Sequence, residues 1–111
     1  MNAEALKRVS GEVVDSAIAI HREVGPGLLE SVYEVLLAHE LRQRGLEVVR
    51  QKQVPIEYRG IRFDEGYRLD LFVEGHVIVE IKSLESLLPV HSKQLLTYLR
   101  LTRSPVGLLL N

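Results

Sequence analysis

Val14, Ala17, Ile18 and His21 recur at intervals of three and four, which predicts an amphipathic helix over residues 11–24. Gly25-Pro26-Gly27 interrupts it. A second helix is expected from about Leu28 to Arg44. Leu29, Val32, Tyr33, Leu36 and Leu41 form its apolar stripe, and Gly45 is placed to be its left-handed cap. The period then drops to two. Val54, Ile56 and Tyr58 alternate with Pro55 and Glu57 as a strand, and Pro55 marks an edge or a bulge. Arg59-Gly60 is a turn. Tyr67, Leu69, Leu71 and Val73 alternate with Arg68, Asp70 and Phe72. After a second turn at Glu74-Gly75, Val77, Val79 and Ile81 alternate with Ile78, Glu80 and Lys82. Three consecutive strands with short connections make an antiparallel meander.

Helical spacing returns from about Val90 to Thr102, with Leu95, Leu96 and Leu99 on the buried side. Val106 to Leu110 is wholly apolar. Such a strand is expected to be covered on both faces, in a parallel pairing reached by the helical crossover. The element order α-α-β-β-β-α-β describes an α/β sandwich around a small mixed sheet.

The register of the second hairpin decides where its acids fall. A two-residue turn would oppose Val73 to His76 and put the two apolar faces on opposite sides. A three-residue loop, Val73-Glu74-Gly75, opposes Phe72 to His76 and keeps them together, with Gly75 at a left-handed position. Asp70 then faces Ile78. Glu80 lies one diagonal step away, and Lys82 shares its face.

Composition narrows the function. A chain of 111 residues, 46% hydrophobic and 26% charged, suits one compact domain and excludes a disordered protein. The absence of cysteine excludes disulfides, thiolate metal sites and a thiol nucleophile. His21, His39, His76 and His91 lie in separate segments without a zinc-binding pair. Gly25-Pro26-Gly27 lacks the lysine of a phosphate-cradling loop, and no serine sits in a nucleophile elbow. No apolar run approaches a membrane span, and the N-terminus has no stretch suited to a secretion signal, so a cytoplasmic protein without membrane attachment is expected. The net charge is only −1, but it is unevenly placed: the first forty residues are acidic and the remainder basic. The last acid is Glu85, and Lys93, Arg100 and Arg103 follow it, an arrangement compatible with phosphate binding.

Two carboxylates and a lysine on neighbouring strands suit one chemistry. Carboxylate oxygens bind a hard divalent cation, which withdraws charge from a phosphate and activates water. A nearby lysine holds that water or stabilises developing charge. The plainer reading of Asp70, Glu80 and Lys82 is a solvent-facing charged ladder. Glu30 and Tyr33 share one helix face, as do Gln94 and Tyr98. An acid at a helix start is also favoured by the dipole alone.

Taken together, these residues resemble the PD-(D/E)XK nuclease superfamily. The matching signature is Asp70 followed by Glu80-Ile81-Lys82 on the next strand, with Glu30 as the upstream helical glutamate. Gln94-x-x-x-Tyr98 is similar to the glutamine-tyrosine motif of its RecB-like branch. Gly27-Leu28-Leu29-Glu30-Ser31-Val32-Tyr33 matches the Gly-x-x-Glu-x-x-Tyr of the small GxxExxY proteins, and Tyr58-Arg59-Gly60, Arg68-Leu69-Asp70 and the final Val-Gly-Leu-Leu-Leu strand fit them too. The resemblance covers about Ile18 to Asn111. Members of that family usually continue for a short tail past the last strand, where this chain stops at Asn111.

The resemblance implies a restriction-endonuclease-like α-β-β-β-α-β core with an extra N-terminal helix. It implies a Mg2+-dependent phosphodiesterase, with Mn2+ as a substitute, acting on DNA or less readily RNA. Glu30, Asp70 and Glu80 would hold the metal, directly or through water, with the Ile81 carbonyl as a further ligand. Lys82 would position the attacking water, and Gln94 and Tyr98 would orient lysine, phosphate or ligands. Tyr33, Arg68, Lys93, Arg100 and Arg103 would face the substrate. A non-catalytic nucleic-acid- or protein-binding module on the same fold is the alternative, and a purely structural accessory domain is a third. With only 5% aromatic residues there is little stacking surface, so a homodimer or protein partner is expected to add to the grip.

Overall fold

The computed structural model describes residues 1–111. Three helices and four strands follow in the order α1 (Ala3–Val24), α2 (Glu30–Gln43), β1 (Val48–Tyr58), β2 (Ile61–Val73), β3 (Val77–Ile81), α3 (Pro89–Thr102) and β4 (Val106–Leu110). This is the expected restriction-endonuclease-like α/β fold, with α1 preceding its α-β-β-β-α-β core. No helix is long and apolar enough to cross a membrane.

Helix α1 starts eight residues before the expected position. Asn2 Oδ1 caps it by accepting the Ala5 amide at 2.8 Å. Its buried stripe is Val9, Val13 and Ser16, while Gly11 lies on the exposed side, where an added Cβ would meet open space. Gly25, at φ 75°, ends the helix, and its amide donates to the His21 carbonyl. Helix α2 begins at Glu30 because Leu29 is extended. Gly45, at φ 84°, follows its end as expected. Arg44 joins the two helices through Glu12 and Asp15, at 2.8 and 2.7 Å, while also pairing with Glu40 of α2. Those acids hold its guanidinium well above the usual range.

The sheet order is β1-β2-β3-β4, antiparallel except for the β3–β4 pair, which α3 connects in parallel. All five residues of β3 are buried. Both faces of β4 are covered as expected, with Val106, Leu108 and Leu110 against the core under α1 and α2 and Gly107 against α3, but each residue is only half-buried because the strand stands at the sheet edge. Gly107 has its own reason. A Cβ there would come within 2.8 Å of Leu95 Cδ1, so α3 packs closely on β4 only over glycine. The first hairpin is far longer than the hydrophobic pattern indicates. Ladder bonds, not a core, sustain its exposed outer half, which turns at Arg59 and Gly60, both with positive φ.

Two cores sandwich the sheet. Val9, Val13, Leu37, Leu41, Leu71, Val73, Val77, Val79 and Ile81 pack between it and α1 and α2. Val54, Leu69, Ile78 and Tyr98, with Leu95 and Leu99, pack beneath α3. Fully burying each such aliphatic side chain stabilises the fold by roughly 1.5–3 kcal/mol. Leu69 and Leu71 alternate in sequence as one face, yet they belong to different cores. Strand β2 therefore turns over at the residue between them, Asp70.

The second hairpin has the expected odd loop in a shifted frame. Val73 pairs with Val77, Phe72 with Ile78 and Leu71 with Val79, so the loop is Glu74-Gly75-His76. Gly75 has the expected positive φ, 67°, but Phe72 does not oppose His76. The frame follows from burial, since pairing Val73 with Val77 places two fully buried valines side by side in one core. His76 is left to close the turn, its amide donating to the Val73 carbonyl at 3.1 Å.

Candidate active site

The β2–β3 ladder stops at Leu71 and Val79. The next positions in that register are Asp70 and Glu80, which corrects the expected opposition of Asp70 to Ile78. Here each carboxylate takes an amide from the other strand. The Asp70 amide donates to Glu80 Oε1 at 3.0 Å, and the Ile81 amide donates to Asp70 Oδ2 at 2.8 Å. The strands part, and the two acids are clasped side by side in the opening.

Burial governs their charge. Glu80 is only 5% exposed. Desolvation pushes its pKa up to about 8, and the neighbouring Asp70 charge adds to the rise, while the Asp70 amide and the Lys82 charge oppose it. Tyr98, 4% exposed, comes from α3. Burial first, then the charges of Glu80 and Asp70, raise its hydroxyl to about 12, so it remains a neutral donor. Tyr67 braces its ring edge-on at a centroid distance of 5.3 Å. Two adjoining acids, Glu80 nearly buried and reluctant to ionise and Asp70 half-buried, form a place where a divalent cation relieves both desolvation and repulsion. The donor set fits Mg2+, which needs one or two carboxylates and keeps several waters.

Lys82 follows at the end of β3. It is half-buried, pairs with no acid, and its amide bonds to the Leu110 carbonyl. One residue on, the Ser83 amide donates to Glu30 Oε1 at 3.0 Å, which ties the start of α2 to the end of β3. The expected gathering of Glu30, Asp70 and Glu80 is not formed: no three acidic or histidine side chains are grouped so as to hold a metal ion. Glu30 rises from α2, and α2 and Tyr98 pack against opposite faces of the sheet.

Gln94 sits half-buried one turn before Tyr98, with no hydrogen bond from its amide. Lys93 and Arg100 are exposed on α3, and Arg103 is its left-handed cap; none pairs with an acid. Arg68 is exposed on β2 opposite Gln53 and lines a 340 Å³ pocket with Asp64, Glu65 and Tyr67. The Tyr33 hydroxyl is already engaged. It donates to the Gly25 carbonyl at 2.6 Å and accepts the Leu28 amide at 3.3 Å, fastening the Gly-Pro-Gly loop. A larger cavity of about 790 Å³ lies between α1, that loop and the ends of β3 and β4. Val14, Ile18 and Leu110 line it and Lys82 reaches its wall, but neither Asp70 nor Glu80 does.

Sequence reasoning missed Glu34, Arg50 and Gln51. Glu34 is 5% exposed on α2 and binds both β1 residues. Its signal was present: an acid on the same helix face as Leu37, Ala38 and Leu41.

A four-stranded mixed sheet whose second and third strands part around an aspartate and a Glu-x-Lys strand defines a restriction-endonuclease-like domain. A family model of the PD-(D/E)XK nuclease superfamily matches residues 7–111, and the chain belongs to that superfamily. Comparison with curated proteins and with solved structures gives no match. Membership points to nuclease activity on a nucleic acid, and nucleases of this superfamily typically use divalent metals.

Proposed function

We propose that this chain is a metal-dependent nuclease of the GxxExxY branch that hydrolyses phosphodiester bonds of DNA. The observation that carries this reading is the reciprocal clasp of Asp70 and Glu80 beside Lys82 and Tyr98. One oxygen of each carboxylate is taken by an amide, and the other is free to hold Mg2+ or Mn2+ with the Ile81 carbonyl. Glu30 stands apart from this pair and fastens the start of α2 to Ser83. When bound, the cation withdraws charge from the scissile phosphate and activates water. The Lys82 amine holds the attacking water and offsets charge developing on the phosphate. Tyr98 donates as a neutral hydroxyl, and Gln94 orients Lys82 or the phosphate. Lys93, Arg100, Arg103 and Arg68 bind the DNA backbone. Tyr33 acts through the loop it fastens.

The test is a Mg2+ and Mn2+ titration run beside cleavage assays on single- and double-stranded DNA. Cleavage is expected only with a divalent cation, and Asp70→Asn is expected to abolish both metal binding and cleavage. Tight metal binding without cleavage of any substrate would replace this reading with a binding module. Neither activity, in a folded sample, would leave an accessory domain.

A further inference from the structure

One ladder position in β1 is broken where no residue has been inserted. Strands β1 and β2 pair in constant register from Val48 and Val73 through Val54 and Tyr67, but the pair Gln51 and Asp70 is missing. Gln51 has φ 52°, a left-handed conformation uncommon for a residue with a Cβ. Just beyond β2, the Glu74 amide donates to the Glu47 carbonyl, so alternate even-numbered amides point toward β1. By that alternation the Asp70 amide would point at Gln51. It binds the Glu80 carboxylate instead.

The left-handed turn is held from the side. Gln51 Nε2 donates to Glu34 Oε1, and Arg50 Nε and Nη2 bind Glu34 Oε2 at 3.1 and 3.0 Å. Both oxygens of this nearly buried carboxylate are therefore committed to β1. Glu34 also lies one turn beyond Glu30 on α2, so the same helix braces the end of β3 and the break in β1.

We propose that Gln51, held by Glu34 and Arg50, is a positioning residue for the metal-binding acids. By leaving the ladder it frees the Asp70 amide to orient Glu80, and it lets β2 turn over at Asp70. This rests on the nuclease reading, since what is positioned is that reading's metal pair. A side chain that forbids the left-handed conformation should close the ladder, return the Asp70 amide to β1 and leave Glu80 unoriented.

Gln51→Val is the direct test, because a β-branched residue prefers extended backbone. Its NMR spectrum is expected to show a cross-strand amide–amide contact between residue 51 and Asp70 that is absent from the natural protein. Mn2+ affinity and metal-dependent cleavage are expected to fall about tenfold or more, the usual effect of losing a group that orients a metal ligand, while the melting temperature is kept. Gln51→Gly accepts a positive φ without strain and should restore affinity to within about threefold of the natural protein. It also serves if the valine variant does not fold. A folded Gln51→Val protein that binds Mn2+ and cleaves within about twofold of normal overturns the proposal and leaves the nuclease reading standing. Equal losses in the valine and glycine variants overturn it too, because the side chain itself would then be what matters. If the natural protein neither binds Mn2+ nor cleaves DNA, both readings fall.

Discussion

The two ends of the β2–β3 pair differ in one respect, the chemistry of facing side chains. From Val73–Val77 to Leu71–Val79 the strands are zipped, and the odd-numbered residues are fully buried against α1 and α2. One step further the facing residues are Asp70 and Glu80, the ladder ends, and amides that would serve the ladder serve carboxylates. The apolar end lowers free energy by excluding water. The acidic end spends part of that stability to keep a buried Glu80 close to a half-buried Asp70, and burial raises the pKa of Glu80 accordingly. Rigidity at one end is what holds the other end open in a defined geometry.

Substitutions that act on one end only separate the two roles. Lys82→Ala has the largest expected effect: a loss of cleavage of about 10²–10⁴-fold in a metal-dependent nuclease assay, with the thermal melt unchanged. A parallel loss of melting temperature would show that Lys82 belongs to the packed end. Leu71→Ala works in the opposite sense. It should destabilise the protein by about 2–5 kcal/mol in urea unfolding, and cleavage should fall only as the folded fraction falls.

Glu80→Gln removes the charge that burial disfavours while keeping the oxygen that accepts the Asp70 amide. Without metal it should be more stable than the natural protein near pH 8, by on the order of 1 kcal/mol or roughly 4–8 °C in melting temperature, while binding no Mg2+. The pH dependence has a definite sign. Between pH 4.5 and about 8 the folded protein holds a proton on Glu80 that the unfolded chain has released. The stability linked to this group is therefore fully present below 4.5 and declines as the pH rises to about 8. Metal affinity should run the other way, increasing up to about pH 8, because the cation displaces that proton. Calorimetry with and without Mg2+ across this range checks both slopes, and a flat profile would place Glu80 in contact with water. The smallest effect belongs to Tyr33→Phe, which removes one hydroxyl from the loop between α1 and α2. A loss of about 0.5–1.5 kcal/mol, with faster proteolysis at Gly25–Leu28, is the expected result.

Much of the molecule was legible from residues alone. Alternation over Tyr67–Val73 and Val77–Ile81 located β2 and β3, the wholly apolar Val106–Leu110 located β4, and parity required an odd loop around Gly75. Asp70 and Glu80-x-Lys82 stood out because two acids and a lysine interrupt apolar strands. The outer half of the first hairpin was less legible, since exposed strand residues need no hydrophobic period. The exact loop frame was hidden as well: 73–75 and 74–76 both satisfy parity, and only the burial of Val73 against Val77 distinguishes them.

The sequence by itself determined the elements, their order and the acids that make a metal site plausible, because these depend on local period and on side-chain chemistry. The tertiary structure alone decided that Glu30 binds the Ser83 amide instead of joining the acidic pair, that Leu69 and Leu71 enter different cores, and that Glu34 reaches across to a left-handed Gln51. The physical reason is that a buried polar group must find a partner wherever the packed chain supplies one. Which amide or carboxylate that is depends on how the sheet twists and where α2 lies against it, and neither is encoded in the spacing of residues along one strand.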